Sequence, residues 1–187
     1  YKLTPNFNSE FQPNFIFWGR ISYEKRIAMA IKLFEKISRN IENSKFTIIG
    51  PDCGELNKLV KITNQLSLNK KIEFIPPIDI KRIKKKAKNC SFFLQLSKFE
   101  GLAMSVLESM QLGLIPIVTD VGEIKNYCVH NHNSIIFKDM ELTKETIIKL
   151  MKNKKKLKSM QNNAIKCWDK KITYRDDLMN SIESLIN

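Results

Sequence analysis

The sequence predicts an α/β fold, a six-stranded parallel sheet with helices on both faces. Two observations predict it. Six short apolar runs alternate with helix-length amphipathic segments along the 187 residues, the pattern of a parallel sheet whose crossovers are helices. The runs are also apolar throughout, as strands covered on both faces must be. Hydrophobic residues make up 43% and charged residues 27% of the chain, a balance that excludes disorder of the whole chain. A chain of this length buries a core without disulfides or a metal.

The elements follow in order. Residues 15–18 form the first strand, and Ile27, Ile31, Phe34 and Ile41 then mark one face of a helix. Residues 45–49 form the second strand, which ends at Gly50-Pro51. A helix over 55–66 leads to a strand at 72–75, closed by Pro76-Pro77, since neither proline donates to a central ladder. A basic helix over 80–87, a strand over 91–96, a helix over 104–112 and a strand over 115–118 come next. A short helix over 122–129 and a last strand over 134–137 precede a helical pattern that runs from Thr143 to the end. Crossovers are right-handed. Ligands of such sheets sit beyond the carboxyl ends of the strands, so the loops 19–25, 50–54, 76–79, 97–103 and 119–122 are the informative ones.

Charge narrows the partners. The chain holds 32 basic and 19 acidic residues, a net charge of +13, which suits phosphate, nucleic acid or an acidic membrane surface. Lysine-rich stretches lie at 81–88 and 152–158. No apolar run nears the roughly 18 residues that a membrane-spanning helix needs. Cys53, Cys90, Cys128 and Cys167 form no CxxC pair and read as reduced thiols in a cytoplasmic setting. His130 and His132 could share a metal, but an HxH in an Asn-rich loop is more often solvated. No signal peptide is visible and the chain opens at Tyr1 without a Met, as a fragment of a longer protein would.

Two motifs carry chemistry. Gly19, Arg20 and Lys25 lie in the loop after the first strand. Gly19 permits close backbone approach. Arg20 offers a planar fork to phosphate, and Lys25 a mobile point charge near a helix start. The alternative is two surface cations. Neither GxGxxG nor a Walker A pattern is present. The second motif is Glu100-Gly101-Leu102-Ala103-Met104 followed by Glu108. Glu100 falls on the loop after the fourth strand, where it is a ligand-facing or a solvated carboxylate. Residues 101–104 enter a helix and present backbone N–H groups. Glu108 either points to a ligand or closes a capping box with Ser105.

In this order, with Gly113, Pro116-Ile117-Val118 and Asp120-Val121-Gly122 downstream, the motifs resemble the C-terminal, donor-binding domain of retaining glycosyltransferases of the GT-B type, family 4. The resemblance covers residues 15–137. It implies a Rossmann-like half of a GT-B fold that binds a UDP- or GDP-sugar. Arg20 and Lys25 would neutralise the diphosphate, and Glu100 would face the donor sugar near the anomeric carbon. Glu108 would hold the ribose hydroxyls. The backbone of Gly19 and of Gly101, Leu102, Ala103 and Met104 would approach the phosphates, and Ile78 would line the base. The family shows glycine where this chain has Arg26, Ala103 and Glu123, and the Cβ of Ala103 stands where the sugar would approach.

With no Asp-x-Asp pair in sight, no metal cofactor is expected. The resemblance further implies a linker at 1–14, a nucleotide-sugar domain at 15–153, and helices at 154–187 that return toward an absent N-terminal half. The acceptor, a glycan or a lipid-linked sugar in surface polysaccharide synthesis, would be held by that half, so the domain alone would bind donor without transferring sugar. The setting would be cytoplasmic, with an anionic membrane surface at the inner face as a further partner. The competing readings are a basic nucleic-acid-binding module, against which the lysine runs lack interleaved aromatics, and another Rossmann-like nucleotide-binding module.

Overall fold

The computed structural model describes residues 3, 5 and 12–169. Its strands are β1 (Phe15–Trp18), β2 (Phe46–Ile49), β3 (Ile72–Ile75), β4 (Phe92–Gln95), β5 (Ile115–Val118) and β6 (Ile135–Ile136). They lie in the order β3-β2-β1-β4-β5-β6, and every pairing is parallel. The six-stranded parallel sheet expected from the sequence is therefore the fold. Its helices are α1 (Ile27–Ser38), α2 (Leu56–Gln65), α3 (Ile80–Ala87), α4 (Met104–Gln111), α5 (Ile124–Tyr127), α6 (Met140–Lys152) and α7 (Lys154–Asp169). A one-turn 3-10 helix, Tyr23–Lys25, lies before α1.

The strand order matters more than the count. The chain builds outward from β1 to β3, then returns to place β4 on the other side of β1. That reversal, at the carboxyl ends of β1 and β4, is the usual ligand position in open α/β sheets. Phenylalanines hold the two strands in register. Phe15 stacks on Phe92 with ring centroids 5.1 Å apart, and Phe17 stacks on Phe93 at 6.2 Å. Phe34 of α1 closes edge-on over Phe15 at 5.5 Å. Removing rings of this size from water contributes about 2–3 kcal/mol each.

Boundaries differ from expectation where side chains cap or break elements. The sixth strand shrinks to two residues, and the helix expected over 122–129 to four. The terminal helical pattern begins at Met140, not Thr143, because Asp139 caps it by accepting from the Leu142 N–H at 2.8 Å. The same pattern breaks at Asn153, whose φ of −111° and ψ of 81° leave the helical region. The Asn153 side chain then accepts from the Lys156 N–H at 2.9 Å.

Helix α7 packs on α4, α6 and β5 and buries Leu157, Met160 and Ala164 in the same core. The remainder of the expected 154–187 segment lies outside the described residues. So does most of 1–14, although Leu3 packs on the core and its N–H donates to Gln111 Oε1 at 2.5 Å. All four cysteines are unbridged, and burial pushes the Cys90 and Cys128 thiols up to about 12. Among the described residues, no helix is long and apolar enough to cross a membrane.

Candidate functional site

Two loops are clamped together at the reversal between β1 and β4. Arg26 adopts a left-handed conformation, φ 46°, at the start of α1. Its guanidinium donates to the carbonyl oxygens of Leu96 at 2.7 Å and Ser97 at 3.2 Å. In return, the Lys98 N–H donates to the Glu24 carbonyl at 2.7 Å. This clamp carries Lys25 across to the loop after β4.

Lys25 Nζ stands 2.6 Å from Glu100 Oε1, and the two side chains are only 12% and 8% exposed. The same oxygen accepts from Gln95 Nε2 at 2.8 Å and from Ser97 Oγ at 2.5 Å. Gln95 is the carboxyl-terminal residue of β4, and its own Oε1 accepts from Ser105 Oγ at 2.9 Å. Thr119 Oγ1 donates to the Ser97 carbonyl at 2.5 Å and ties in the end of β5. Desolvating two charges is costly unless further hydrogen bonds satisfy them. Here the carboxylate oxygen that meets lysine also receives two neutral donors.

Glu108 closes no capping box with Ser105. The N-cap residue of α4 is Ala103, φ 54°, so Ser105 lies inside the first turn and cannot cap it. Its hydroxyl goes to Gln95 instead, and the capping box does not form. Glu108 Oε2 accepts from the indole N–H of Trp18, the last residue of β1, at 2.8 Å.

The loop between Glu100 and Ala103 is held from behind. The Tyr127 hydroxyl donates to the Leu102 carbonyl at 2.8 Å, and burial pushes this phenol well above its ordinary range, so it stays a neutral donor. Gly122, φ +57°, lies so close that a Cβ there would sit 2.0 Å from the Glu100 carbonyl oxygen. The Glu123 N–H donates to the Gly101 carbonyl at 3.1 Å. Of the three positions where glycine was expected, Arg26 and Ala103 keep a left-handed backbone without it. That conformation costs a residue with a Cβ about 1–2 kcal/mol. Glu123, at φ −75°, is unstrained.

The remaining sequence candidates lie around this centre. Gly19 abuts the loop after β2, where a Cβ on residue 50 would meet the Gly19 oxygen at 1.8 Å, so that position must be Gly50. Arg20 is not drawn into the network. Its side chain is 67% exposed, and its ion pair is with Glu24 at 3.7 Å. A cleft of about 210 Å³ lies between residues 50–56 and 74–77. Pro76 and Pro77 line it, whereas Ile78 packs half-buried on the core. Asp52 borders this cleft and accepts from the N–H groups of Leu56, Gly54 and Glu55, which hold its carboxyl below the usual range.

Leu102 and Met104 are exposed, while Ala103 is buried. Both histidines have partners. His130 Nδ1 accepts from the Ile136 N–H at 3.1 Å, and the His132 carbonyl accepts from Asn163 at 3.0 Å. Among the described residues, no three His, Cys, Asp or Glu side chains are grouped to hold a metal. Trp18, Gln95, Ser97 and Ser105 were missed as site residues. The available signal was Gln95, a polar residue at the end of an otherwise apolar strand.

The profile that describes glycosyl transferases group 1 matches residues 5–167. The chain is 24% identical over 119 residues to the uncharacterized glycosyltransferase YqgM of Bacillus subtilis (strain 168), covering 64% of this chain and 33% of that one. It is 31% identical over 121 residues to the uncharacterized glycosyltransferase MJ1059 of Methanocaldococcus jannaschii, covering 63% and 29%. The chain thus spans about a third of the length of these relatives.

Among solved structures, a TarM variant of S. aureus in complex with fondaparinux, α-GlcNAc-glycerol and UDP superposes with a TM-score of 0.83 at 18% identity, covering 95% of this chain and 36% of that one. The C-terminal domain of LpcC, a glycosyl transferase group 1 family protein from Francisella tularensis, gives 0.74 at 19% identity, covering 88% and 85%. Anabaena HepE in complex with UDP and glucose gives 0.79 at 16%, covering 94% and 48%. At these identities the likeness is one of fold.

Proposed function

The chain belongs to the glycosyl transferases group 1 family, and from that premise we propose that it is the domain that binds a nucleotide diphosphate sugar, a UDP-sugar foremost and a GDP-sugar otherwise. The observation that carries the reading is the buried Lys25–Glu100 pair at the strand-order reversal, 2.6 Å apart with Gln95 and Ser97 on the same oxygen. UDP in the TarM and HepE complexes supports the choice of base.

The roles follow from charge and position. Breaking a sugar–phosphate bond develops negative charge on the departing diphosphate. Lys25, Arg20 and the positive end of α4 supply the opposing charge. The first N–H groups of α4, with the backbone of residues 101–104, face the phosphates. Removing one donor of this kind typically costs roughly 3 kcal/mol of transition-state stabilisation. Glu100 faces the sugar near its anomeric carbon, and Glu108 takes the ribose hydroxyls. The base enters the cleft beside Pro76 and Pro77, with Ile78 behind it. Donor binding redirects Lys25 from Glu100 toward phosphate and leaves Gln95 and Ser97 to hold the carboxylate. No metal is assigned to this chemistry.

The longer protein transfers the sugar, with retention, to a glycan or lipid-linked acceptor in surface polysaccharide synthesis. Transfer needs the acceptor hydroxyl close to the anomeric carbon, and the relatives' additional length supplies the surface for that. The unbridged thiols favour a cytoplasmic location. The +13 charge favours docking on the anionic inner face of the membrane.

A thermal-shift panel tests the reading. UDP or GDP raises the melting temperature equally with and without EDTA, while NAD and short oligonucleotides do not. Stabilisation by oligonucleotides alone would replace the reading with a nucleic-acid-binding one. Sugar transfer to lipid-linked and glycan acceptors appears only with the longer protein. Robust turnover by the 187-residue chain alone would contradict the division of labour.

A further inference from the structure

We infer that Trp18 is a positioning residue for ribose recognition, acting by fixing the carboxylate of Glu108. The inference rests on the donor-binding reading above. Trp18 ends β1 and is 5% exposed. A buried indole N–H needs an acceptor, and this one has Glu108 Oε2 at 2.8 Å, from a residue on α4 ninety positions away. The ring has little freedom to swing. It meets Phe93 of β4 edge-on, with centroids 4.6 Å apart at 64°.

Glu108 is half-buried on α4, and a glutamate reaches its carboxylate through three rotatable bonds. Pinning one oxygen sets the direction of the other and the plane of the group. A carboxylate that receives two neighbouring hydroxyls must present the right plane. Fixing it before the ligand arrives removes an ordering cost from binding. The bond spans the strand-order reversal itself, from the end of β1 to the helix that follows β4. It thereby sets the ribose end of the site relative to the Lys25–Glu100 end. The rival explanation is that Glu108 merely satisfies a buried N–H. That explanation predicts lost stability on removing either partner and no effect on hydroxyl recognition.

The experiment measures affinities for UDP and for 2′,3′-dideoxy-UDP in the wild-type chain, Trp18→Phe, Glu108→Gln and the double variant, with melting temperatures alongside. The wild type prefers UDP. Trp18→Phe keeps a ring against Phe93 but lacks the N–H, and it narrows that preference about tenfold, with the dideoxy compound bound as before. In the Glu108→Gln background, Trp18→Phe changes the preference no further.

Site-specific replacement of Trp18 by benzothienylalanine keeps the ring volume, removes the N–H and gives the same narrowing. It serves where Trp18→Phe unfolds. An unchanged preference in these variants, or equal loss of both nucleotides, overturns the inference and leaves the donor-binding reading standing. A wild-type chain that binds neither nucleotide overturns the donor-binding reading first, and the inference with it.

Discussion

Lys25 with Glu100, and Lys36 with Glu141 and Lys144, are the same chemistry in two environments. Glu141 lies on the surface between α1 and α6, where it accepts from Lys36 at 2.5 Å and from Lys144. Lys36 and Glu141 are 40% and 55% exposed. The hydrogen bond from Lys144, then that from Lys36, holds the Glu141 carboxyl down to about 2. Water screens this cluster, and exposed pairs of this kind contribute little. The Lys25–Glu100 pair has given up most of its water, and Gln95 and Ser97 make up the loss. A fold does not need a desolvated pair at a loop end to stay folded. Its position at the strand-order reversal is what the proposed function draws on: an incoming diphosphate would take over the lysine and leave a carboxylate already held by neutral donors.

The comparison breaks most visibly at Lys25. Lys25→Met strands Glu100 in a buried site with only its neutral partners, and it destabilises the fold by about 3 kcal/mol in urea unfolding. It also abolishes UDP binding. Adding Glu100→Gln to Lys25→Met recovers most of the stability and none of the binding. If Lys25→Met unfolds like the wild type, the pair is as dispensable as a surface one.

The site also holds backbone strain that the surface cluster lacks. Ala103→Gly relieves the left-handed residue at the head of α4 and raises stability by about 0.5–1 kcal/mol, less than the full strain because glycine gains freedom in the unfolded chain. Arg26→Gly relieves a similar angle but loses the bonds to Leu96 and Ser97. It is therefore net destabilising in the same assay.

The smallest effects belong to the surface cluster. Lys36→Met leaves the melting temperature at neutral pH indistinguishable from the wild type. Acid brings the cluster out. The Glu141 carboxyl is depressed from 4.5 to about 2 in the folded chain. Its contribution is therefore fully present above about pH 4.5 and is lost as the pH falls toward 2. Glu141→Gln removes that part of the acid dependence, and unfolding midpoints measured from pH 6 to pH 2 show a shallower decline.

Much of this was legible in the sequence. Strand positions came from apolar runs, and the site-bearing loops followed from where strands end, because a parallel sheet puts its ligands there. The partners inside the site were less legible. That Glu100 meets Lys25 depends on β4 lying beside β1, which local patterns do not encode. The Ser105–Glu108 spacing fits a capping box, but the N-cap lies two residues earlier, at a left-handed Ala103 that no propensity favours. Arg20 and Lys25 stand together in sequence yet differ in burial, because the 3-10 turn at Tyr23–Lys25 swings Lys25 inward. The break at Asn153 falls at the 153/154 boundary expected between the domain and its terminal helices, although the amphipathic pattern runs on through it.

The central claim is that a nucleoside diphosphate binds at the carboxyl ends of β1 and β4. Arg20 offers the cleanest measurement, since its side chain is 67% exposed and its substitution should leave the fold intact. Calorimetric titration of UDP into the wild-type chain and into Arg20→Ala should give one binding event per chain, unchanged by EDTA. The affinity should be about tenfold weaker in the variant at an equal melting temperature. Equal affinity in the two chains, or no binding of UDP or GDP to the wild type, would contradict it.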